Sequence, residues 1–352
     1  MNPVDWLLQP DNPSIRCHAL RWLLRRGDDD ADVRKTRAAI AESAIVRRIF
    51  RKQSPEGHWG DPATPYNPKY RATYWTLMLL GHLGLTRDDE RVRRAVEYVF
   101  TFQQPDGGFA ERGEEGAKRE YAYAVERAQK RGTPPPVESE FIVDCIHQFT
   151  LSCLTGNTVA ALLRMGYVDD PRVWHAVDWL VSIQNADGGW LCPYWQAHVR
   201  DKHGCFYGTI CPMEAFAEIP EGRRTPTVHD AAARGAEFLL MHRLYKADHR
   251  QGRIIKPEWV TLSFPWFYGY DILRGLWTLT RLSYRDERMD DALAVLRDKR
   301  LPDGTWLLEN APQGRMQTDL EKKGQPSKWI TLLALWTLKE LERPYLPSVT
   351  DF

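Results

Sequence analysis

Four cysteine and histidine side chains in the middle of the sequence are of the types that bind zinc. Cys153 lies in SCLTGN, Cys192 follows a GGW turn, and His203 and Cys205 lie in DKHGCFYG. Zinc favours thiolate and imidazole ligands in a tetrahedral array, so the set predicts a zinc site. Four protein ligands would fill the coordination sphere, which indicates a structural ion unless one ligand exchanges. The alternative is packing, since free cysteine is among the most buried residue types.

A second polar group lies in the segment LLENAPQGRMQTDLEKKGQPSKW. Its charged side chains are predicted to supply a general acid or base, or to bind a diphosphate. The candidate catalytic residues are Arg315, Asp319, Glu321 and Lys328. As a solvated loop, the segment needs none of these roles.

Polar and aromatic residues also gather where apolar helices are predicted to begin. The candidate substrate-binding residues are Tyr70, Arg71, Asn157, Trp266, Tyr268, Tyr270 and Trp329. A cavity lined by aromatic rings suits an isoprenoid, because ring faces bury apolar area and stabilise cations. Aromatic residues at helical spacing are also typical of a core, which is the alternative.

A repeated turn motif defines the helices that position these residues. The segments QSPEGHWG, QQPDGGFA, QNADGGWL and RLPDGTWL share an acidic residue, a glycine turn and an aromatic residue. Each turn follows a helix pattern with an acidic start and precedes a more apolar one, which predicts an outer and an inner layer. We expect an all-α fold, an α/α toroid of six inner and five to six outer helices. It forms one domain over residues 1–352, with an insertion at about residues 112–140.

Composition narrows the functional classes. Lysine and arginine number 48 against 47 acidic residues, so no global field attracts nucleic acid. No window approaches the roughly 20 apolar residues of a transmembrane helix, and the first residues do not resemble a signal peptide. We therefore expect a cytoplasmic protein, and six cysteines in a chain of this length do not indicate a disulfide framework.

The glutamine-tryptophan turns resemble those of squalene-hopene cyclases and of protein prenyltransferase β-subunits, over about residues 40–343. The resemblance implies a toroid in which the glutamine and glycine hold each turn. It implies no acid-initiated cyclisation, because the aspartate-rich tetrad of the cyclases is not matched. The prenyltransferase zinc ligands are matched at Cys153 and His203, whereas Leu151 stands where the family has an aspartate.

The sequence therefore predicts a zinc-containing enzyme that acts on an isoprenoid or similarly apolar substrate in a central cavity. Its expected partner is an apolar small molecule, and a protein partner is left open. The alternative is a non-catalytic, lipid-binding or partner-binding toroid with a structural metal. A metal position open to water would favour the enzyme, whereas a saturated metal would favour the scaffold.

Overall fold

The computed structural model describes residues 2–191, 200, 202–248 and 252–342. In this part of the chain the regular structure is helical, and strand pairing is limited to isolated bridges. In chain order the helices are α1 (Pro3–Leu7), α2 (Pro13–His18, continued as a π-helix over Ala19–Leu23), α3 (Ala31–Ala41), α4 (Ala44–Phe50), α5 (Thr73–Leu83), α6 (Glu90–Phe100), α7 (Glu114–Arg131), α8 (Glu138–Gln148), α9 (Ser152–Arg164), α10 (Pro171–Ser182), α11 (Phe206–Glu218), α12 (Pro226–Met241), α13 (Ile272–Arg281), α14 (Asp290–Asp298) and α15 (Lys328–Leu341).

Six of these helices form an inner ring: α2, α5, α9, α11, α13 and α15. Successive inner helices contact each other: α5 contacts α9, α9 contacts α11, α11 contacts α13, and α13 contacts α15. Helix α15 in turn contacts α2. The ring closes where the His18 imidazole of α2 donates to the His82 carbonyl of α5, with 2.8 Å between nitrogen and oxygen. The outer layer consists of α3 with α4, α6, α10, α12 and α14. The predicted all-α toroid is confirmed.

Burial distinguishes the two layers as the sequence pattern predicted. Every residue of α5 except His82 is buried, as expected for an inner helix. The outer helix α6 buries Val92, Ala95, Val96 and Val99, which recur at helical spacing along one face. Among the residues that the structure describes, none of the helices has both the length and the hydrophobicity that crossing a bilayer requires.

The repeated turns join each outer helix to its neighbours. The Gln103 side-chain amide donates to the Gly107 carbonyl at 3.0 Å and to the Arg172 carbonyl of α10 at 2.9 Å. Gln53 and Gln184 make the same pair of bonds in their turns. The turn glycines adopt the left-handed region, with φ of +106° at Gly107, where an L side chain is strained.

The aromatic residue of each turn ties the outer layer to the inner one. The Trp190 indole donates to the Leu180 carbonyl of α10 at 2.8 Å, and its backbone N–H donates to the Thr209 hydroxyl of α11 at 3.1 Å. Trp59 and Trp306 repeat both bonds. A threonine in the first turn of the inner helix is therefore part of the repeat, although the sequence analysis did not single it out.

The insertion is longer than the sequence predicted. It contains two helices, α7 and α8, which pack against each other, and α8 extends past residue 140, where the insertion was expected to end. The proline run in GTPPP separates the two helices because proline cannot continue a helix. The second helix ends at Gln148, directly before the inner helix α9.

Candidate functional site

The segment that precedes α13, residues 262–271, lies inside the ring. Phe264 stacks on Trp329 of α15, with ring centroids 4.4 Å apart, and lies edge-on to His82 of α5 at 5.3 Å. Both neighbours belong to inner helices, so the segment packs against the inner layer.

Two of the predicted substrate-binding residues belong to this internal packing. The Trp266 indole donates to the Asp271 carboxylate at 3.0 Å, and the Tyr270 hydroxyl donates to the Leu244 carbonyl at 2.6 Å. Both side chains are buried. Burial raises the pKa of Asp271, which caps α13. These contacts give Trp266 and Tyr270 structural roles, and their predicted role in substrate binding stays a prediction.

Tyr70, Tyr268 and Arg71 lie where the 314–319 loop meets the start of α5. The hydroxyls of Tyr70 and Tyr268 are 3.3 Å apart, and the Arg315 guanidinium lies 4.9 Å from the centre of the Tyr70 ring. Arg71 donates to the Gly314 carbonyl at 2.6 Å. The structure therefore brings these predicted site residues together, but as a link between a loop and a helix.

The other candidate catalytic residues also have partners nearby. The Asp319 carboxylate accepts from the Gly314 backbone N–H at 2.9 Å, which holds the turn between them. Glu321 is half-buried and accepts from the Lys328 backbone N–H at 2.6 Å, and desolvation raises its pKa. The Lys328 ammonium pairs with Asp11 at 2.6 Å. Their catalytic role remains a prediction, and these contacts show how they anchor the start of α15.

An ion network that the sequence analysis missed crosses the middle of the ring. The Arg274 guanidinium donates to Glu214 and, at 2.8 Å, to the Asn157 side-chain oxygen. Arg164 pairs with the same Glu214 and with Glu218, the latter at 2.7 Å. Asn157 accepts a hydrogen bond within this network, and its predicted role in substrate binding stays a prediction. The sequence did offer a signal for this network, because Arg and Glu occur within inner-helix patterns that are otherwise apolar.

The network has a definite ionisation state. Burial raises the pKa of Glu214, but the positive charges of Arg274 and Arg164 outweigh burial, so the pKa lies below its ordinary value. The carboxylate is therefore ionised at neutral pH. His82 is buried beside Arg164, and both effects hold the pKa of its imidazole well below the ordinary value. His82 is neutral and accepts from Arg164 at 3.2 Å.

A cavity of about 380 Å³ adjoins this network, and side chains from all six inner helices line it. We call it the central cavity. Its lining includes His18, Arg21, Trp22, His82, Arg164, Glu218, Trp277, Arg281 and Trp329. Of the predicted substrate-binding residues, Trp329 is part of this wall. The wall of the central cavity therefore consists largely of charged and aromatic side chains.

A larger cavity, of about 720 Å³, lies at the start of α11. We call it the rim cavity. Its wall includes His203, Cys205, Phe206, Tyr207, His242, Lys256 and Trp259. The rings of Phe206 and Trp259 lie 4.2 Å apart between centroids and form a continuous apolar surface. Small-molecule sites of this size are typically apolar with a few polar groups, as here.

Tyr207 is the polar group of the rim cavity with the clearest geometry. Its hydroxyl oxygen accepts from the Trp259 indole at 3.3 Å and from the Lys256 ammonium at 3.5 Å. The described residues offer no acceptor for the Tyr207 proton itself. A hydroxyl whose oxygen is held by two donors, one of them cationic, is oriented to donate its own proton to a bound group. None of these three residues was singled out from the sequence.

The residues predicted to bind zinc are only partly placed. Cys205 precedes α11, where its backbone N–H donates to the Trp190 carbonyl at 2.8 Å, and the His203 ring contacts the Gly204 carbonyl at 2.7 Å. Cys153 is the second residue of α9, whereas Cys192 lies outside the described residues. Within the described ranges, no three His, Cys, Asp or Glu side chains form a group that could hold a metal. Cys153, His203 and Cys205 alone form no such group, and the zinc site stays a prediction from the sequence.

Comparison with solved structures finds chains of similar extent. A type II terpene cyclase variant from Scytonema, MstE in complex with geranylgeranyl dihydroxybenzoate, is 17% identical, covers 94% of this chain and 87% of its own, and has a TM-score of 0.45. A protein from Actinoplanes is 16% identical, with 95% and 90% of the two chains covered and a TM-score of 0.44.

Comparison of sequences finds similarity to a squalene-hopene cyclase. No family model matches the chain. A squalene-hopene cyclase from Bradyrhizobium diazoefficiens is 29% identical over 140 residues, which are 39% of this chain and 21% of the cyclase. The matched part thus spans about a fifth of the length of that relative. Together with the repeated turns, this similarity supports a terpene cyclase-like superfamily assignment for the chain.

Proposed function

We propose that the protein is an enzyme that acts on an isoprenoid or similarly apolar substrate, and that the substrate binds in the rim cavity. The observation that carries the proposal is a cavity of about 720 Å³ whose wall contains Phe206, Tyr207 and Trp259. Burying a hydrocarbon chain contributes roughly 25 cal/mol for each Å² of apolar surface removed from water. The similarity to a squalene-hopene cyclase supports an isoprenoid among the apolar candidates.

Tyr207 is the proposed proton donor. The hydroxyl oxygen of an isoprenoid alcohol would accept the Tyr207 proton as its carbon–oxygen bond breaks, so that water leaves and an allylic cation remains. The phenolate left behind would be stabilised by the Lys256 ammonium and by the Trp259 N–H, which already contact the phenol oxygen. The Tyr207 phenolate would then take a proton from that cation, which gives an alkene. A positioned general acid typically accelerates its step by about 10²- to 10⁴-fold. The proposed reaction class is therefore elimination of water from an apolar alcohol.

The proposal departs from the sequence prediction in two respects. It moves the substrate from the ring centre to the rim, because the central cavity is the smaller of the two, at about 380 Å³, and is lined by charged side chains. It assigns proton transfer to Tyr207, because Asp319 and Glu321 accept hydrogen bonds from backbone N–H groups of their own segment.

Product analysis tests the enzyme proposal. Purified protein is incubated with squalene, farnesol or farnesal, and extracts are analysed by gas chromatography with mass spectrometry. We expect conversion of a compound that carries oxygen, and a loss of roughly 10²-fold or more in kcat for Tyr207→Phe with little change in KM. Tyr284→Phe is the matched control, because Tyr284 lies after α13 and lines neither cavity.

Two outcomes would contradict the enzyme proposal. Equal turnover by wild type and Tyr207→Phe would remove the proposed acid. Binding of these compounds without any conversion would instead identify the non-catalytic, lipid-binding toroid.

A further inference from the structure

The wall of the central cavity carries more positive than negative charge. Four arginines and two carboxylates line it: Arg21, Arg37, Arg164, Arg281, Asp28 and Glu218. The two histidines of the wall are neutral, since burial lowers the pKa of His18 to about 4 and that of His82 well below its ordinary value. At neutral pH the wall therefore has a net charge of +2, counting these six side chains.

Two of the arginines retain unused donors. Arg281 pairs with Glu218 through one terminal nitrogen, and Arg21 pairs with Asp28 through Nε at 2.9 Å. A guanidinium has five N–H donors, and the described residues offer no further side-chain or backbone acceptor to these two. Arg164 differs, because all three of its nitrogens contact Glu214, Glu218 or His82.

Two buried ring nitrogens in the same wall also lack partners among the described residues. They are the Trp329 Nε1 and the His18 Nδ1. His18 Nε2 donates to the His82 carbonyl, so Nδ1 of the neutral ring is an acceptor, whereas Trp329 Nε1–H is a donor. Buried polar atoms are nearly always paired in folded proteins, so a bound group or ordered water is expected beside them.

Flat aromatic surfaces accompany the arginines. The Arg281 guanidinium lies 4.7 Å from the centre of the Trp277 ring, and Trp22 stacks on His18 with centroids 4.3 Å apart. The cavity therefore combines cationic donors with ring faces, which is the arrangement that suits an anion attached to an aromatic ring.

We propose that the central cavity binds a small oxyanion that carries an aromatic ring, either an aryl phosphate or an aryl carboxylate. The oxygens contact the free N–H groups of Arg21 and Arg281, and the ring lies against Trp277 and Trp22. The volume of about 380 Å³ lies within the range of small-molecule sites. This site is separate from the rim cavity and does not depend on the proposed substrate there.

Calorimetric titration of the full chain tests this site. Phenyl phosphate, benzoate and inorganic phosphate are titrated separately, at low ionic strength in a buffer free of phosphate and carboxylate. We expect one phenyl phosphate or one benzoate per chain, bound more tightly than inorganic phosphate because only the aryl anions use the tryptophans. Whichever aryl anion binds more tightly identifies the oxyanion class. Arg281→Gln and Arg21→Gln should each weaken binding by about 10-fold or more, as expected for a lost charged hydrogen bond.

The control is Arg297→Gln, since the Arg297 side chain is 53% exposed on the outer helix α14 and should leave binding unchanged. Arg21→Gln is the second variant in case Arg281→Gln does not fold, because the Arg21 side chain is 37% exposed and contacts no residue of the Glu214 network. The proposal is overturned if neither aryl anion binds to wild type, if inorganic phosphate binds as tightly, or if folded Arg21→Gln binds like wild type. An equal loss in Arg297→Gln would indicate non-specific attraction and would also overturn it.

Discussion

Glu214→Gln removes the negative charge that Arg274 and Arg164, on two inner helices, share. Glu214 and Arg274 are each 1% exposed, and Arg164 is 11% exposed. The glutamine side chain has nearly the same shape, so the substitution changes charge while leaving little cavity. It leaves Arg274 with neutral acceptors, whereas Arg164 keeps Glu218.

The expected loss of stability follows from this burial. Removing one partner of a buried ion pair costs about 3–5 kcal/mol, and the lower value applies because Glu218 stays in place. An unfolding entropy of roughly 2.1 cal/mol/K per residue converts about 3 kcal/mol into a decrease of about 4 °C in the unfolding midpoint of a chain of 352 residues.

The effect should also depend on pH. Because the pKa of Glu214 is lowered in the folded protein, its contribution to stability is complete above the unfolded value of about 4.3 and is lost as the pH falls. The difference in unfolding midpoint between wild type and Glu214→Gln should therefore be full at pH 7 and decrease below about pH 4.

Thermal unfolding followed by circular dichroism, at pH 7 and below about pH 4, measures this difference in unfolding midpoint. The matched control is Glu287→Gln, since Glu287 is exposed at the surface and should shift the midpoint by less than about 1 °C. A shift at pH 7 no larger than that of the control would refute the inference that the ion network stabilises the ring.

Two further predictions concern packing and metal content. Gly156→Ala should lower the free energy of unfolding, measured by urea denaturation, by about 1–3 kcal/mol, because an added Cβ would lie 2.5 Å from the backbone of Cys211 in α11. Gly222→Ala is the control, since its Cβ meets no atom within 4 Å and should have little effect. Zinc binding stays a prediction from the sequence. Elemental analysis should find about one zinc per chain, which Cys153→Ala should lose and Cys211→Ala should retain. Wild-type protein without metal would contradict this prediction.

The fold was predictable because its signals are local and repeated. The turn that contains Gly107 and the helices on either side recur along the chain, and three of the four copies begin with a glutamine of the same role. Gln103, for example, bonds its own turn and the next outer helix, as Gln53 and Gln184 do. The insertion was underestimated because α7 and α8 carry no copy of that turn.

The candidate site was less predictable because it depends on contacts between distant parts of the chain. The Arg274 guanidinium meets Asn157, which is 117 residues away in the sequence, and no spacing rule connects them. Aromatic residues gave no better signal, because Trp266 packs inside the ring whereas Trp259 lines the rim cavity. Sequence patterns identify buried rings but do not decide which of them border empty space.

Binding of an apolar ligand provides the most direct test of the proposal that the rim cavity is the substrate site. Ala247 lines this cavity, so Ala247→Trp should fill it without removing a polar contact, and Ala44→Trp on the exposed start of α4 is the matched control. Farnesol is titrated into each protein by calorimetry. We expect farnesol to bind wild type and Ala44→Trp equally and to bind Ala247→Trp about 10-fold or more weakly. Equal affinity in all three proteins would show that the apolar ligand binds elsewhere and would contradict the assignment of the rim cavity as the substrate site.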